Sequence, residues 1–183
     1  MSDAPEPVVA LLRGINVGGR SVLAMTALKS LLAEAGLVEA RTYLQSGNVI
    51  VTPSSSQLID LGPTIEKAIE GETGMSIRVM VRTRDDLARV VAGNPLLEPG
   101  IKPSTLHTVF LERAPDPSRV AELDPDRSPP DRFAVSGQEI HLYYPQGSGR
   151  SKLNLGYLER TLGVAGTARN WNTVTKLLAM LRE

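Results

Sequence analysis

Val8-Val9-Ala10-Leu11-Leu12-Arg13-Gly14 is the stretch on which the reading of this chain turns, an unbroken apolar run ended by a cation and a glycine. Such a run is the pattern of a strand covered on both faces, so it predicts the central strand of a sheet. Downstream, Met25, Leu28, Leu31, Leu32 and Ala35 recur at helical spacing and stop at Gly36, a residue suited to a left-handed C-terminal position. Residues 38–44 and 49–52 are extended runs joined by Gln45-Ser46-Gly47-Asn48, which predicts a hairpin. Ile65, Ala68 and Ile69 mark a second helix with Pro63 in its first turn. Ile77, Val79 and Val81 then alternate with Arg78, Met80 and Arg82, a strand with one wet face. It is expected at the edge of its sheet, where copies of the chain could pair into a homo-oligomer. Thr83-Arg84-Asp85-Asp86 reads as an N-cap box opening the helix that carries Leu87, Val90 and Val91.

This order, βαββαβ and a helix, is ferredoxin-like and implies strands ordered 4-1-3-2 in an antiparallel sheet with helices on one face. The second half nearly repeats it. Residues 105–111 read as a strand, 117–123 as a short helix, 133–136 with 138–144 as a hairpin, and 151–163 and 171–182 as helices. The expected fold is α+β, with an N-terminal βαββαβ half over 1–95 and a C-terminal βαββαα half over 96–183. The hairpins also echo each other in letters, Ser46-Gly47-Asn48-Val49-Ile50 against Ser136-Gly137-Gln138-Glu139-Ile140, so a duplication and a chance match of two Ser-Gly turns both stand open.

Composition then removes much chemistry. The 183 residues hold 20 Lys plus Arg and 20 Asp plus Glu, so there is no whole-chain basic field to argue for nucleic acid or membrane. With no Cys there is no thiolate nucleophile, disulfide or Cys-held metal, and His107 and His141 alone do not suggest a triad or a metal site. Both are read as structural strand residues, and no metal or cofactor is expected. The acidic start before a short apolar run lacks the form of a signal peptide or membrane span, so a cytoplasmic location without membrane partners is expected.

Charge speaks only locally. In the implied topology the end of the first strand meets the first hairpin at one rim, which would gather Arg13, Asn16, Arg20, Gln45, Ser46 and Asn48 with the amides of Gly18 and Gly19. That set is rich in donors and lacks a carboxylate, which suits an anion or hydrogen-bonding ligand better than acid–base work. The same residues are also what tight turns and caps require. Gly14-Ile15-Asn16-Val17-Gly18-Gly19-Arg20-Ser21 has P-loop spacing, but Val22-Leu23-Ala24 separates it from the helical stripe and the implied sheet is antiparallel, so an NTP-hydrolysing loop is rejected. A second basic region lies at the end of the chain, where residues 145–183 carry six cations against two carboxylates. There Gly147-Ser148-Gly149-Arg150-Ser151-Lys152 runs toward a helix, placing Lys152 beside glycine amides, with Ser151 as the alternative cap. Arg169 and Asn170 open the last helix, Asn170 as its N-cap, while Arg169 either braces the helix or reaches a ligand. Lys152, Arg169 and Asn170 join the expected ligand-binding set if the two halves pack so that those ends meet. Trp171, on that helix's apolar stripe, reads as a core residue ahead of a base-stacking platform.

Three stretches carry a family resemblance. Ala10 through Gly19, then Thr42-Tyr43-Leu44-Gln45-Ser46-Gly47-Asn48-Val49, then Arg169-Asn170-Trp171-Asn172-Thr173-Val174 with Lys176-Leu177 resemble the bacterial domain-of-unknown-function family numbered 1697. The resemblance implies an α+β cytoplasmic protein with no established activity and assigns no catalytic residue. It places Arg13, Asn16, Gln45, Ser46, Asn48, Arg169, Asn170 and Trp171 in the family pattern. Arg20 stands where Lys is usual and Ala24 where Pro is common; Arg keeps the charge, so an anion role survives the first departure. The leading expectation is a binding protein for a phosphate-bearing ligand, a nucleotide or nucleic acid. An enzyme that clamps such a ligand electrostatically, and a structural or oligomerisation module, are the alternatives.

Overall fold

In the computed structural model, which describes residues 6–16 and 22–182, β1 (Val8–Leu12) is buried at every position, as its apolar run requires. β1 pairs antiparallel with β3 (Asn48–Val51) on one side and β4 (Val79–Thr83) on the other, and β3 pairs with β2 (Arg41–Tyr43). The resulting order, β2-β3-β1-β4, is the expected one read from the opposite edge. One face of this sheet is covered by α1 (Met25–Glu34) and α3 (Leu61–Thr73), whose Leu28, Leu32, Ile65 and Ile69 share a core with Val8, Ala10 and Leu12. A short helix α2 (Ser55–Ile59) precedes α3, started by a capping box between Ser54 and Gln57. After β4, Thr83 and Asp86 form the expected reciprocal cap of α4 (Arg84–Ala92): Thr83 N–H donates to Asp86 Oδ2 at 2.8 Å, and Asp86 N–H to Thr83 Oγ1 at 3.1 Å.

Two compact units divide the chain, Met1–Leu87 with Leu177–Glu183, and Ala88–Lys176. In the second, β5 (Leu106–Leu111) is followed by the one-turn helix α5 (Pro117–Val120), the hairpin β6 (Arg132–Ser136) and β7 (Glu139–Tyr143), α6 (Leu155–Leu162) and β8 (Gly166–Asn170); α7 (Trp171–Met180) comes next and crosses the division after Lys176. The sheet order is β6-β7-β5-β8, the order of the first sheet. Val109, Leu111, Ile140 and Leu142 of this sheet share a core with Leu158 and Leu162 of α6. Trp171 is 3% exposed and belongs to the core, and Asn170 caps α7 through its Oδ1, which accepts from Asn172 N–H at 3.0 Å.

Three details differ from the sequence reading. Met80 and Arg82 are 2% and 5% exposed, so β4 has no wet face: Met80 and Arg82 are in register with the buried Leu11 and Val9 of β1, and the face they share is closed. Arg82 donates Nη1 to the carbonyl of Val81 at 2.9 Å. The helix expected from 151 begins at Leu155 because Asn154, not Ser151, caps it, its Oδ1 accepting from Tyr157 N–H. Finally, β8 is a strand that no apolar alternation announces. It is held by pairing with β5 from Leu111↔Gly166 to His107↔Asn170.

The hydrogen bonds put the two units in residue register. Leu12 N–H donates to Gly47 O and Arg13 N–H to Arg78 O; in the second unit Leu111 N–H donates to Gln138 O and Glu112 N–H to Ala165 O. Glu66 of α3 accepts the first N–H of β4, from Val79, at 2.8 Å, and Glu159 of α6 accepts the first N–H of β8, from Gly166, at 2.9 Å. Arg82 and Arg169 occupy the same place in β4 and β8, and each donates Nη1 to the carbonyl of the residue before it.

Candidate functional site

The predicted rim forms at the end of β1. Asn16, in the left-handed region at φ 55°, clamps it. Its Nδ2 donates to Leu23 O at 2.9 Å and to Gln45 O at 2.8 Å, while its Oδ1 accepts from Leu23 N–H at 2.9 Å. One amide therefore closes the base of the segment from 17 to 22 and ties it to the β2–β3 turn. Gly18, Gly19 and Arg20, three of the expected binding residues, fall in that segment and lie outside the described residues.

The turn itself is rigidly built. Asn48 is fully buried and donates Nδ2 to Tyr43 O at 2.8 Å and to Ser46 Oγ at 3.0 Å. Gly47, at φ 74°, lies so close to β1 that a Cβ would stand 2.8 Å from Leu12 Cβ, so both its backbone angle and its space demand glycine. Leu44 is also left-handed, at φ 57°, and is 55% exposed, an apolar residue held in a strained conformation next to the exposed Gln45. Asn16, Ser46 and Asn48 thus shape the rim, while half-buried Arg13 and exposed Gln45 stand at its surface.

Two participants escape sequence reasoning. Arg78 lies beside Arg13 through their backbone bond, which brings a second guanidinium to this end of the sheet. Glu66 supplies a carboxylate where none was expected: Oε1 accepts from Val79 N–H, and Oε2 stands 3.5 Å from Arg78 Nη1. Glu66 is distant in sequence from its partners, and no local pattern marks the contact. With both oxygens engaged it is a brace for β4 and not an available base.

The other expected binding residues belong to the second unit. Arg169 is 7% exposed, donates Nη1 to Thr167 Oγ1 at 2.7 Å and to Ala168 O at 2.8 Å, and burial lowers its pKa to about 10, so it remains a cation at neutral pH. Asn170 Nδ2 donates to Ser104 O at 2.9 Å. The Lys152 side chain is exposed while its backbone N–H donates to Ser128 Oγ at 3.1 Å. His107 and His141 both lie on strands, and burial depresses both pKa values, that of His141 to about 4.

An antiparallel α+β protein with two units of one strand order, and with no group of His, Asp or Glu among the described residues placed to hold a metal, is the class these observations define. The family described as "Protein of unknown function (DUF1697)" matches residues 6–141, and the chain belongs to that family. Among solved structures it is similar to the conserved bacterial protein SP0830 from Streptococcus pneumoniae, at a TM-score of 0.75 and 19% identity, covering 98% of this chain and 100% of that one. That likeness bears on the fold. No curated protein matches the chain. Among the described residues no helix is long and apolar enough to cross a membrane.

Proposed function

We propose that this protein binds a phosphate-bearing ligand, a nucleotide or nucleic acid, at the end of β1, with Arg13 and Arg78 meeting the negative charge and Gln45 hydrogen bonding beside them. Gly18, Gly19 and Arg20, outside the described residues, remain proposed donors to the same ligand. The carrying observation is what the two units do not share. Their framework bonds repeat, yet Arg13 is replaced by Glu112 and Arg78 by Ala165 at the equivalent positions of the second unit. The first unit also has four residues between β2 and β3, 44–47, where the second has 137–138, and Asn16 bonds the carbonyl of one of them. Framework alone would not concentrate cations and added loop at one end of one copy. Binding is favoured over catalysis because the rim's one described carboxylate, Glu66, is occupied on both oxygens.

The test is a titration of a nucleoside triphosphate and of a short single-stranded oligonucleotide against the full chain, at two salt concentrations. Binding that weakens as salt rises, and falls by about tenfold or more in Arg13→Ala with an unchanged melting temperature, supports the reading. Binding untouched by Arg13→Ala, or absent from the wild type, overturns it.

A further inference from the structure

The basic glycine loop of the second unit leads to a different place. The segment from 144 to 154, between β7 and α6, and the segment from 121 to 131, between α5 and β6, wall a cavity of about 560 Å³ whose polar lining includes Ser128, Asp131, Gln146, Gly149, Arg150 and Ser151. Its size lies within the range of small-ligand sites.

Its walls are stitched together. Ser151 Oγ donates to Asp131 Oδ2 at 2.6 Å and accepts from Leu153 N–H at 3.0 Å. Lys152 N–H donates to Ser128 Oγ at 3.1 Å, joining the two segments a second time, and Asp131 N–H donates to Ser128 O at 2.8 Å. Beneath them the buried Tyr144 hydroxyl donates to Leu153 O at 2.7 Å. Such a frame holds its shape without a ligand and loses little entropy on binding one.

The lining leaves opposite charges unsatisfied. Among the described residues Arg150 has no carboxylate partner and Asp131 no cationic one. Asp131 spends Oδ2 on Ser151, and no described donor meets its Oδ1. A ligand for this lining carries an anionic group for Arg150 and hydroxyl donors for Asp131.

We propose that this cavity binds a phosphorylated sugar or polyol, its phosphate on Arg150 and the Gly149 backbone, its hydroxyls on Asp131 with Gln146 and Ser128 alongside. Phosphate suits the combination of guanidinium and loop amide. Several neutral polar groups around one carboxylate suit hydroxyls better than an ammonium. The site shares no residue with the rim of the first unit, so each can fail alone.

The experiment titrates the full chain with ribose 5-phosphate, ribose, inorganic phosphate and serine, with saturable binding read by calorimetry. Ribose 5-phosphate is expected to bind at least about tenfold more tightly than phosphate or ribose alone, and serine not to saturate. Arg150→Ala, on an exposed side chain, should weaken ribose 5-phosphate by about tenfold or more with no change in melting temperature. Asp131→Asn should weaken ribose 5-phosphate yet leave inorganic phosphate unchanged, a split that mere loosening of the loops would not produce. Arg13→Ala should change nothing. Serine binding the tighter, Arg150→Ala without effect, or no saturable binding of ribose 5-phosphate each overturns the proposal, and loss of binding in Arg13→Ala places that ligand at the rim.

Discussion

The two units have one strand order, but they elaborate opposite ends of their sheets. In the first, the long β1–α1 connection and the four-residue hairpin loop meet where β1 ends. In the second, that end is plain: β6 and β7 join through Gly137-Gln138, and Glu112 and Ala165 stand where Arg13 and Arg78 stand in the first. The second unit puts its extra chain at the other end, where β6 enters and β7 leaves. What repeats is the support of the sheet, namely the Glu66 and Glu159 braces and the buried Arg82 and Arg169. What does not repeat marks where each copy has room for a separate task.

The sharpest way to break this comparison is at the hairpins. Gly47→Ala would force a Cβ against Leu12 Cβ at 2.8 Å in a left-handed backbone, whereas a Cβ on Gly137, at φ 60°, would meet nothing within 4 Å. Chemical denaturation should show Gly47→Ala losing about 3 kcal/mol and Gly137→Ala about 1 kcal/mol. Equal losses would mean that the first hairpin is not locked onto β1, and the rim would lose its rigidity.

A second contrast lies on the sheet faces opposite those that pack on α1, α3 and α6. In register, Val9 and Ile50 of the first unit correspond to Thr108 and His141 of the second. All four are buried, but Thr108 Oγ1 and His141 Nδ1 have no hydrogen-bond partner. Burial holds the folded-state pKa of His141 at about 4, below its ordinary value of 6.5, so the unfolded chain binds this proton more readily. Stability should therefore be full above pH 6.5 and fall between 6.5 and 4 by about 2–3 kcal/mol. His141→Ile, which copies the first unit's Ile50, should remove most of that slope. A slope that survives the substitution assigns the pH dependence elsewhere.

Much of this architecture is legible in the letters because its signals are local. The apolar run of β1, the Thr83–Asp86 cap and the stripe beginning at Trp171 each declare themselves within a few residues. The rest depends on partners far along the chain. Gly166-Thr167-Ala168-Arg169-Asn170 reads as no strand, and becomes one through β5. The wet face assigned to Met80 and Arg82 is closed by residues no local period can reveal. Even the echo between the hairpins is misleading in detail: Leu12 and Leu111 bond Gly47 and Gln138, so the matching Ser-Gly letters are one residue out of structural register. At the site, Asn16 was legible as a rim residue but its clamp on Leu23 and Gln45 was not, and Glu66 carried no signal at all.

Glu66 allows the finest test of whether the first unit's departures are functional. Glu66→Gln keeps an oxygen for Val79 N–H and removes the negative charge facing Arg78, while Glu159→Gln makes the same change at a brace with Ala165 at the position of Arg78. Because the Arg78 side chain is 57% exposed, loss of this pair should alter stability by no more than about 0.5 kcal/mol. If Arg78 meets a phosphate, removing its carboxylate neighbour should tighten anion binding by about twofold in Glu66→Gln and leave it unchanged in Glu159→Gln. A tenfold loss in Glu66→Gln would instead put the carboxylate in contact with the ligand, and equal effects in both variants would remove the distinction between the units on which the rim rests.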